Sequence, residues 1–91
     1  MFQENSTLRK KLFFRSCHRG IKEMDLILGS FAQEYLPTMT EEDLSKFQKI
    51  LDIPDQELLS WCMRKVEIPH EYESDLLNQI VNYKPKKQET E

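Results

Sequence analysis

The amino-acid sequence predicts an all-α protein, a compact single-domain bundle of about five short helices. Three observations lead there. Ile21, Met24, Ile27, Leu28, Phe31, Ala32 and Tyr35 recur at three- and four-residue intervals, the period of one buried helical face. Four prolines and two glycines in 91 residues are too few for a turn-rich β fold. No stretch shows strand alternation, and no internal repeat or low-complexity tract interrupts the pattern. A chain of this length suits one domain with a single core.

Asn5, Ser6 and Thr7 are all N-cap types, so a first helix is predicted to start near them and run to about His18. Its apolar positions are Leu8, Leu12, Phe13 and Cys17, with Ser16 completing a small face. Lys11, Arg15 and Arg19 recur one turn apart as a basic stripe, which a merely solvated helix exterior would also show. Gly20 separates this helix from the next and would permit φ > 0 and a close approach at the turn. The second helix is predicted over about Ile21 to Tyr35 and is the candidate spine of the core. Glu23 in its first turn suits the positive end of the helix dipole. Gly29 in mid-helix costs roughly 1 kcal/mol against alanine, which points to close packing by a neighbouring helix.

After the connection Leu36-Pro37-Thr38-Met39, Thr40 followed by Glu41, Glu42 and Asp43 reads as an N-cap with an acidic first turn. Leu44, Phe47, Ile50 and Leu51 give this third helix one apolar face, and Asp52-Ile53-Pro54 ends it. Asp55 is the predicted N-cap of a fourth helix, whose Leu58, Leu59, Trp61, Cys62, Met63 and Val66 cover most of its circumference. Trp61 is assigned to the core because an indole buries so much area. Glu67-Ile68-Pro69 breaks the chain again. A fifth helix is expected from Glu71 to Tyr83, packing through Tyr72, Leu76, Leu77, Ile80 and Tyr83. The expected boundaries are a flexible N-terminus over 1–6, a helical domain over 7–83 and a disordered polar tail over 84–91.

The net charge of −3 hides an uneven distribution. Residues 1–22 carry +5, residues 23–75 carry −9 and residues 76–91 carry +1. A basic first helix on an acidic body suggests a partner with an acidic patch, or an internal complement. No apolar run approaches the ~20 residues of a membrane helix. Met1-Phe2-Gln3-Glu4 lacks a basic n-region, so no secretory signal is expected and the Asn5-Ser6-Thr7 sequon is taken as coincidental. Cys17 and Cys62, far apart in such a chain, are expected as reduced thiols.

The residues offer little for catalysis. No C-x-x-C or H-x-x-x-H pair exists, so no metal site is expected. Cys17 lies beside His18 and near two arginines that would lower its pKa. Successive helical residues point about 100° apart, however, so His18 is poorly placed as its base. Glu23 and Asp25 are badly spaced for a shared active-site face, and no glycine-rich phosphate loop is present. What stands out is the corner Arg15 to Asp25. Arg15 and Arg19 lie one turn apart, and Gly20 lets the chain turn so that Glu23 and Asp25 can flank them. An internal pair fixing the angle between the first two helices is the plain alternative, but a surface pair contributes only about 0–1 kcal/mol. A docking surface explains the cluster better.

Arg19-Gly20-Ile21-Lys22-Glu23 matches the R-G-x-x-E motif of the succinate dehydrogenase assembly factors, also called flavinylation factors. Lys11 to Ser16 before it and Met24 to Ala32 after it resemble the family too, as do Met39-Thr40-Glu41, the junction at Asp55 and the Trp61 position. The resemblance covers about residues 8–83 and is nearer to alphaproteobacterial and mitochondrial members. It implies a small helical chaperone, not an enzyme, that binds the flavoprotein subunit of succinate dehydrogenase and promotes covalent attachment of FAD to a histidine of that subunit. Fumarate reductase is a further candidate client. The motif's Arg19, Gly20 and Glu23, with Arg15 and Asp25 of the same corner, are the expected partner-binding residues. Arg19-Gly20 would enter a crevice of the flavoprotein near the FAD site, Gly20 permitting close approach, and Glu23, Arg15 and Asp25 would fix the orientation.

Nothing in the sequence looks like a flavin-binding fold, so no stable FAD binding by this chain is expected; FAD is attached to the partner. Neither nucleic-acid binding nor membrane insertion is expected, and the free chain is expected to be a monomer. The expected location is the bacterial cytoplasm, or the mitochondrial matrix for a mature eukaryotic form. Two readings from other classes compete. A small helical nucleic-acid-binding or antitoxin-like regulator would use the basic first helix and bind with steep salt dependence. A thiol enzyme would centre on Cys17.

Overall fold

The computed structural model describes residues 6–85, which form five α-helices and no strand. They are α1 (Ser6–Cys17), α2 (Lys22–Tyr35), α3 (Glu41–Leu51), α4 (Asp55–Cys62) and α5 (Asp75–Asn82), with short 3₁₀ turns at Leu36–Thr38 and His70–Tyr72. Asn5 and the segments 1–5 and 86–91, to which a cap, a flexible terminus and most of a polar tail were assigned, lie outside the described residues. Ser6 is already helical, and Lys84 and Pro85 are not.

The spine expected from the apolar spacing is α2. Met24, Leu28, Phe31 and Ala32 are fully buried on it, and α1, α4 and α5 all pack against it. The stripe is narrower than its spacing implied: Ile21 and Ile27 are half-buried, and Tyr35 is exposed at the end of the helix. Leu12, Leu44, Phe47, Leu58, Trp61, Leu77 and Ile80 complete one continuous core from the other four helices.

The close approach expected at Gly29 comes from α1. A Cβ on Gly29 would stand 3.2 Å from Cys17 Sγ and 3.8 Å from the Ser16 carbonyl oxygen. Ser16 is wholly buried at this crossing and its hydroxyl donates to the Leu12 carbonyl (2.7 Å), so no polar group is stranded there. Small side chains on one helix and none on the other let the two backbones meet.

The arginines of α1 and of the turn after it are largely an internal device, while Lys11 of the expected basic stripe stays exposed. Arg9 donates to the carbonyls of Leu36 (2.6 Å) and Met39 (3.0 Å), tying α1 to the α2–α3 connection. Arg15 donates to the Leu51 carbonyl (3.2 Å) and pairs with Asp52 (2.7 Å) at the end of α3. Arg19 reaches the first residue of α4. Three guanidiniums thus fasten α1 and the turn after it to successive chain reversals, Arg9 and Arg15 through main-chain carbonyls and Arg19 chiefly through the Asp55 carboxylate.

Several boundaries differ from the sequence reading. Thr40 caps α3 as expected, accepting from the Asp43 amide (3.1 Å). Asp55 is not the N-cap of α4: Pro54 holds that position, and Asp55 is the first helical residue with its carboxylate turned elsewhere. α4 stops at Cys62 rather than running on to Val66. Arg64 takes φ 61°, and the amides of Arg64 and Lys65 donate back to the carbonyls of Trp61 (3.1 Å) and Ser60 (2.9 Å), a Schellman closure with arginine where glycine is usual. Met63 and Val66 consequently leave the helix and lie exposed. α5 begins at Asp75, because the Ser74 hydroxyl accepts from the Leu77 amide (3.1 Å) and so caps a new helix. Tyr72 belongs to the preceding 3₁₀ turn and lies against Trp61, their ring centroids 5.7 Å apart. Phe13, expected on the apolar face of α1, is 39% exposed.

Candidate functional site

Residues 18–21 carry the chain from α1 into α2 without helical backbone. Ile21, the N-cap of α2, has no side-chain acceptor to offer the first helical amides. Asp25, one turn into α2, reaches back and accepts a hydrogen bond from the Arg19 amide. The turn is thereby closed on itself.

From the other side, α4 supplies Asp55. One carboxylate oxygen, Oδ1, accepts from Arg19 Nε (2.8 Å) and pairs with Nη2 (2.7 Å), while Oδ2 accepts from the Gly20 amide (2.8 Å). Only 9% of the Arg19 side chain and 15% of that of Asp55 remain exposed. Such a pair is costly to desolvate, and both partners must be present for it to hold. One residue therefore fixes both the side chain of Arg19 and the backbone of Gly20.

The five residues singled out in the sequence all lie at this corner, in different situations. Arg19 and Asp25 point inward and shape the turn. Arg15 is part-exposed and engaged with Asp52. Gly20 is exposed, and so is Glu23, whose carboxylate has no hydrogen-bond or ion-pair partner among the described residues. The pairing imagined between the arginines and Glu23 does not form; Asp52 and Asp55 take that place. Gly20 does not have positive φ, so the turn does not need glycine for its backbone geometry. A Cβ there would meet only Asp55 Oδ2, at an ordinary 3.4 Å. What glycine contributes is a bare backbone on the outer face.

Asp52 and Asp55 were missed as site residues because sequence position alone made them a helix end and a helix start. The usable signal was chemical: an arginine beside a glycine turn needs a carboxylate if it is to be buried, and Asp55 directly follows the Pro54 break.

The cysteine chemistry weighed from the sequence finds no support. Burial, and then the nearby Asp25 carboxylate, push the Cys17 thiol up rather than down. His18 is stacked on Phe14 (centroids 3.8 Å apart), and its Nδ1 donates to the Phe14 carbonyl (2.7 Å), so the ring serves its own helix. Burial also raises the Cys62 pKa, and both cysteines are free thiols. No three His, Cys, Asp or Glu side chains among the described residues are grouped to hold a metal ion, and no described helix is long and apolar enough to cross a membrane.

Residues 10–84 match the family described as flavinator of succinate dehydrogenase. The chain belongs to this family. The matched span contains the whole corner, including Asp52 and Asp55. Among its relatives is a protein of Dictyostelium discoideum named succinate dehydrogenase assembly factor 2, mitochondrial, 38% identical over 88% of this chain and 57% of its own length. FAD assembly factor SdhE of Acetobacter pasteurianus is 37% identical over 80% of this chain and 67% of its own. A Yarrowia lipolytica protein, also named succinate dehydrogenase assembly factor 2, mitochondrial, is 41% identical over 72% of this chain and 46% of its own. The chain thus spans about a third to two thirds of the length of the relatives it matches. The part of this chain that matches the family is, over the described residues, an all-helical body with one corner braced from α2 and α4.

Proposed function

We propose that the chain is an assembly chaperone for the flavoprotein subunit of succinate dehydrogenase, and that it promotes covalent attachment of FAD to a histidine of that subunit without itself acting as an enzyme. The observation that carries this reading is the braced corner. Asp55 and Asp25 hold the Arg19–Gly20 backbone from two sides, leaving a side-chain-free surface at Gly20 and an unpartnered carboxylate at Glu23. A surface whose geometry is set before binding loses less conformational entropy on docking. Gly20 would meet the partner backbone to backbone. Glu23 would supply an acceptor, and Arg15, partly exposed, a second charge at the edge. Arg19 and Asp25 act through the shape they impose.

FAD is the partner's group in this reading. Its pyrophosphate would suit a helix N-terminus free of acids, whereas the first turn of α2 carries Glu23 and Asp25. The corner therefore does not fit the cofactor, and stable FAD binding by the isolated chain is not proposed. The flavin and the partner's histidine carry the bond-forming chemistry. This chain's contribution is to favour the partner conformation in which the two are aligned.

The reading is tested by in-gel flavin fluorescence of the denatured flavoprotein subunit, co-expressed with no factor, with the wild-type chain or with Gly20→Arg. Fluorescence should rise with the wild type alone. Equal fluorescence in all three samples would overturn it. Arg9 and Arg19 turn inward and Arg15 is engaged with Leu51 and Asp52, which leaves the basic first helix few uncommitted guanidinium groups for nucleic acid, so the regulator reading is not pursued.

A further inference from the structure

Beside the corner, on the face of α1 turned away from Asp52 and Asp55, lies an open groove of about 580 Å³ between α1 and the end of α2. Its apolar walls are Phe13, Phe14 and Cys17 from α1 and Ala32, Leu36 and Pro37 from the α2 end. Phe14 is 61% exposed and Phe13 39%. Aromatic rings so placed on a small domain cost solvation and are held in place only by the helix that carries them. The Phe14 ring is also kept in one orientation by its stack on His18.

The charges at the rim are of one sign. Arg9 and Lys10 line the groove and no carboxylate does. α1 contains no acidic residue along its length, and Lys10 has no ion-pair partner among the described residues. His18 belongs to both features, lining the groove and leading directly into Arg19–Gly20.

We infer that this groove is the second half of the docking surface, and that it takes an apolar segment of the flavoprotein subunit flanked by acidic side chains. The inference rests on the assembly-chaperone reading and adds to it a separate anchor with its own chemistry. Phe13 and Phe14 would bury against the partner's apolar side chains, while Lys10 meets its carboxylates at the edge. Aromatic side chains at the centre of an interface with charges at its rim give the usual division between affinity and steering. A lipid surface is the weaker occupant, because anionic membranes are held by clusters of about 4–8 basic residues and this rim offers two besides the histidine.

The test measures binding of the purified flavoprotein subunit by calorimetry to the wild type, Phe14→Ser, Lys10→Glu and Gly20→Arg. Phe14 is exposed enough that its replacement leaves the fold intact, which circular dichroism checks; Lys10→Glu changes no buried group. Phe14→Ser should weaken binding about ten-fold or more, and Lys10→Glu should weaken it less and remove part of its salt dependence. If both variants bind like the wild type while Gly20→Arg does not, the groove assignment is overturned and the corner stands. If the wild type itself does not bind the subunit, both readings fall. Sedimentation with phosphatidylglycerol vesicles supplies the lipid arm: vesicle binding lost in Phe14→Ser, with subunit binding unchanged, would assign the groove to a membrane surface instead.

Discussion

Arg19 of the α1–α2 turn and Asp55 at the start of α4 form a nearly buried ion pair in which the carboxylate also holds the Gly20 amide. Thirty-five residues separate Gly20 from the acid that fixes it. The exposed corner is therefore as stable as the seating of α4, whose Leu58 and Trp61 lie in the core.

Asp55→Ala leaves a guanidinium that is 9% exposed without its counter-charge. Breaking one partner of a buried pair costs about 3–5 kcal/mol, and the small remaining exposure places this case near 3 kcal/mol. Asp55→Asn keeps an acceptor for the Gly20 amide and should lose less. Urea unfolding followed by circular dichroism measures both. In a cycle with Arg19→Ala the double mutant should be well short of additive, with a coupling above about 1 kcal/mol; additive losses would show that the pair does not act as a unit.

Gly20 separates stability from docking. With φ outside the left-handed region and only an ordinary 3.4 Å contact to Asp55 Oδ2 at the ideal Cβ, Gly20→Ala should alter unfolding free energy by no more than about 0.5 kcal/mol. Gly20→Arg should keep the helical signal as well, yet lose flavinylation of the partner. A comparable loss of ellipticity in Gly20→Arg would mean that the variant fails by unfolding.

Gly29→Ala sets helix propensity against crowding. Alanine gains up to about 1 kcal/mol in a helix interior, but its Cβ would stand 3.2 Å from Cys17 Sγ. The change should be close to neutral in the wild type. In a Cys17→Ala background it should stabilise by about 0.5–1 kcal/mol. Identical effects in both backgrounds would exclude the sulfur as the limiting contact.

Arg64 closes α4 in a backbone region that costs a non-glycine residue about 1 kcal/mol or more. Arg64→Gly should raise stability by about 0.5–1 kcal/mol even though the exposed contact of Arg64 with Asn82 is lost. Arg64→Val, β-branched at the same φ, should lower it. Thermal unfolding of the pair distinguishes the two signs.

Tyr83 donates its hydroxyl to Glu34 (2.9 Å), and burial followed by that carboxylate pushes its pKa from 10.0 up to about 12. The folded-state value lies above the unfolded one, so the associated stability is fully present below pH 10 and is lost as pH rises toward 12. Absorbance titration of the native protein should show one of the three tyrosines ionising last. Tyr83→Phe should remove both that late step and its share of the alkaline decline.

Periodicity alone determined the helical class, the central place of α2 and most of the core, because a buried helical face writes itself into the chain every three or four residues. It also marked Gly29 as a close crossing, and a motif resemblance marked Arg19, Gly20 and Glu23. The ends of α4 and α5 escaped it. The residues that end them, Arg64 in a glycine conformation and Ser74 as a cap, act through local backbone geometry that composition does not announce. Only the tertiary structure decided what the charges do. Lys11, Arg15 and Arg19 read as one basic stripe along the sequence, yet Arg15 and Arg19, like Arg9 outside that stripe, find partners 27 to 37 residues away, on backbone carbonyls and on Asp52 and Asp55. An apolar residue need only be buried somewhere, whereas an ion pair needs one partner at one distance. That partner is set by how the helices pack, and no local pattern in the sequence records it.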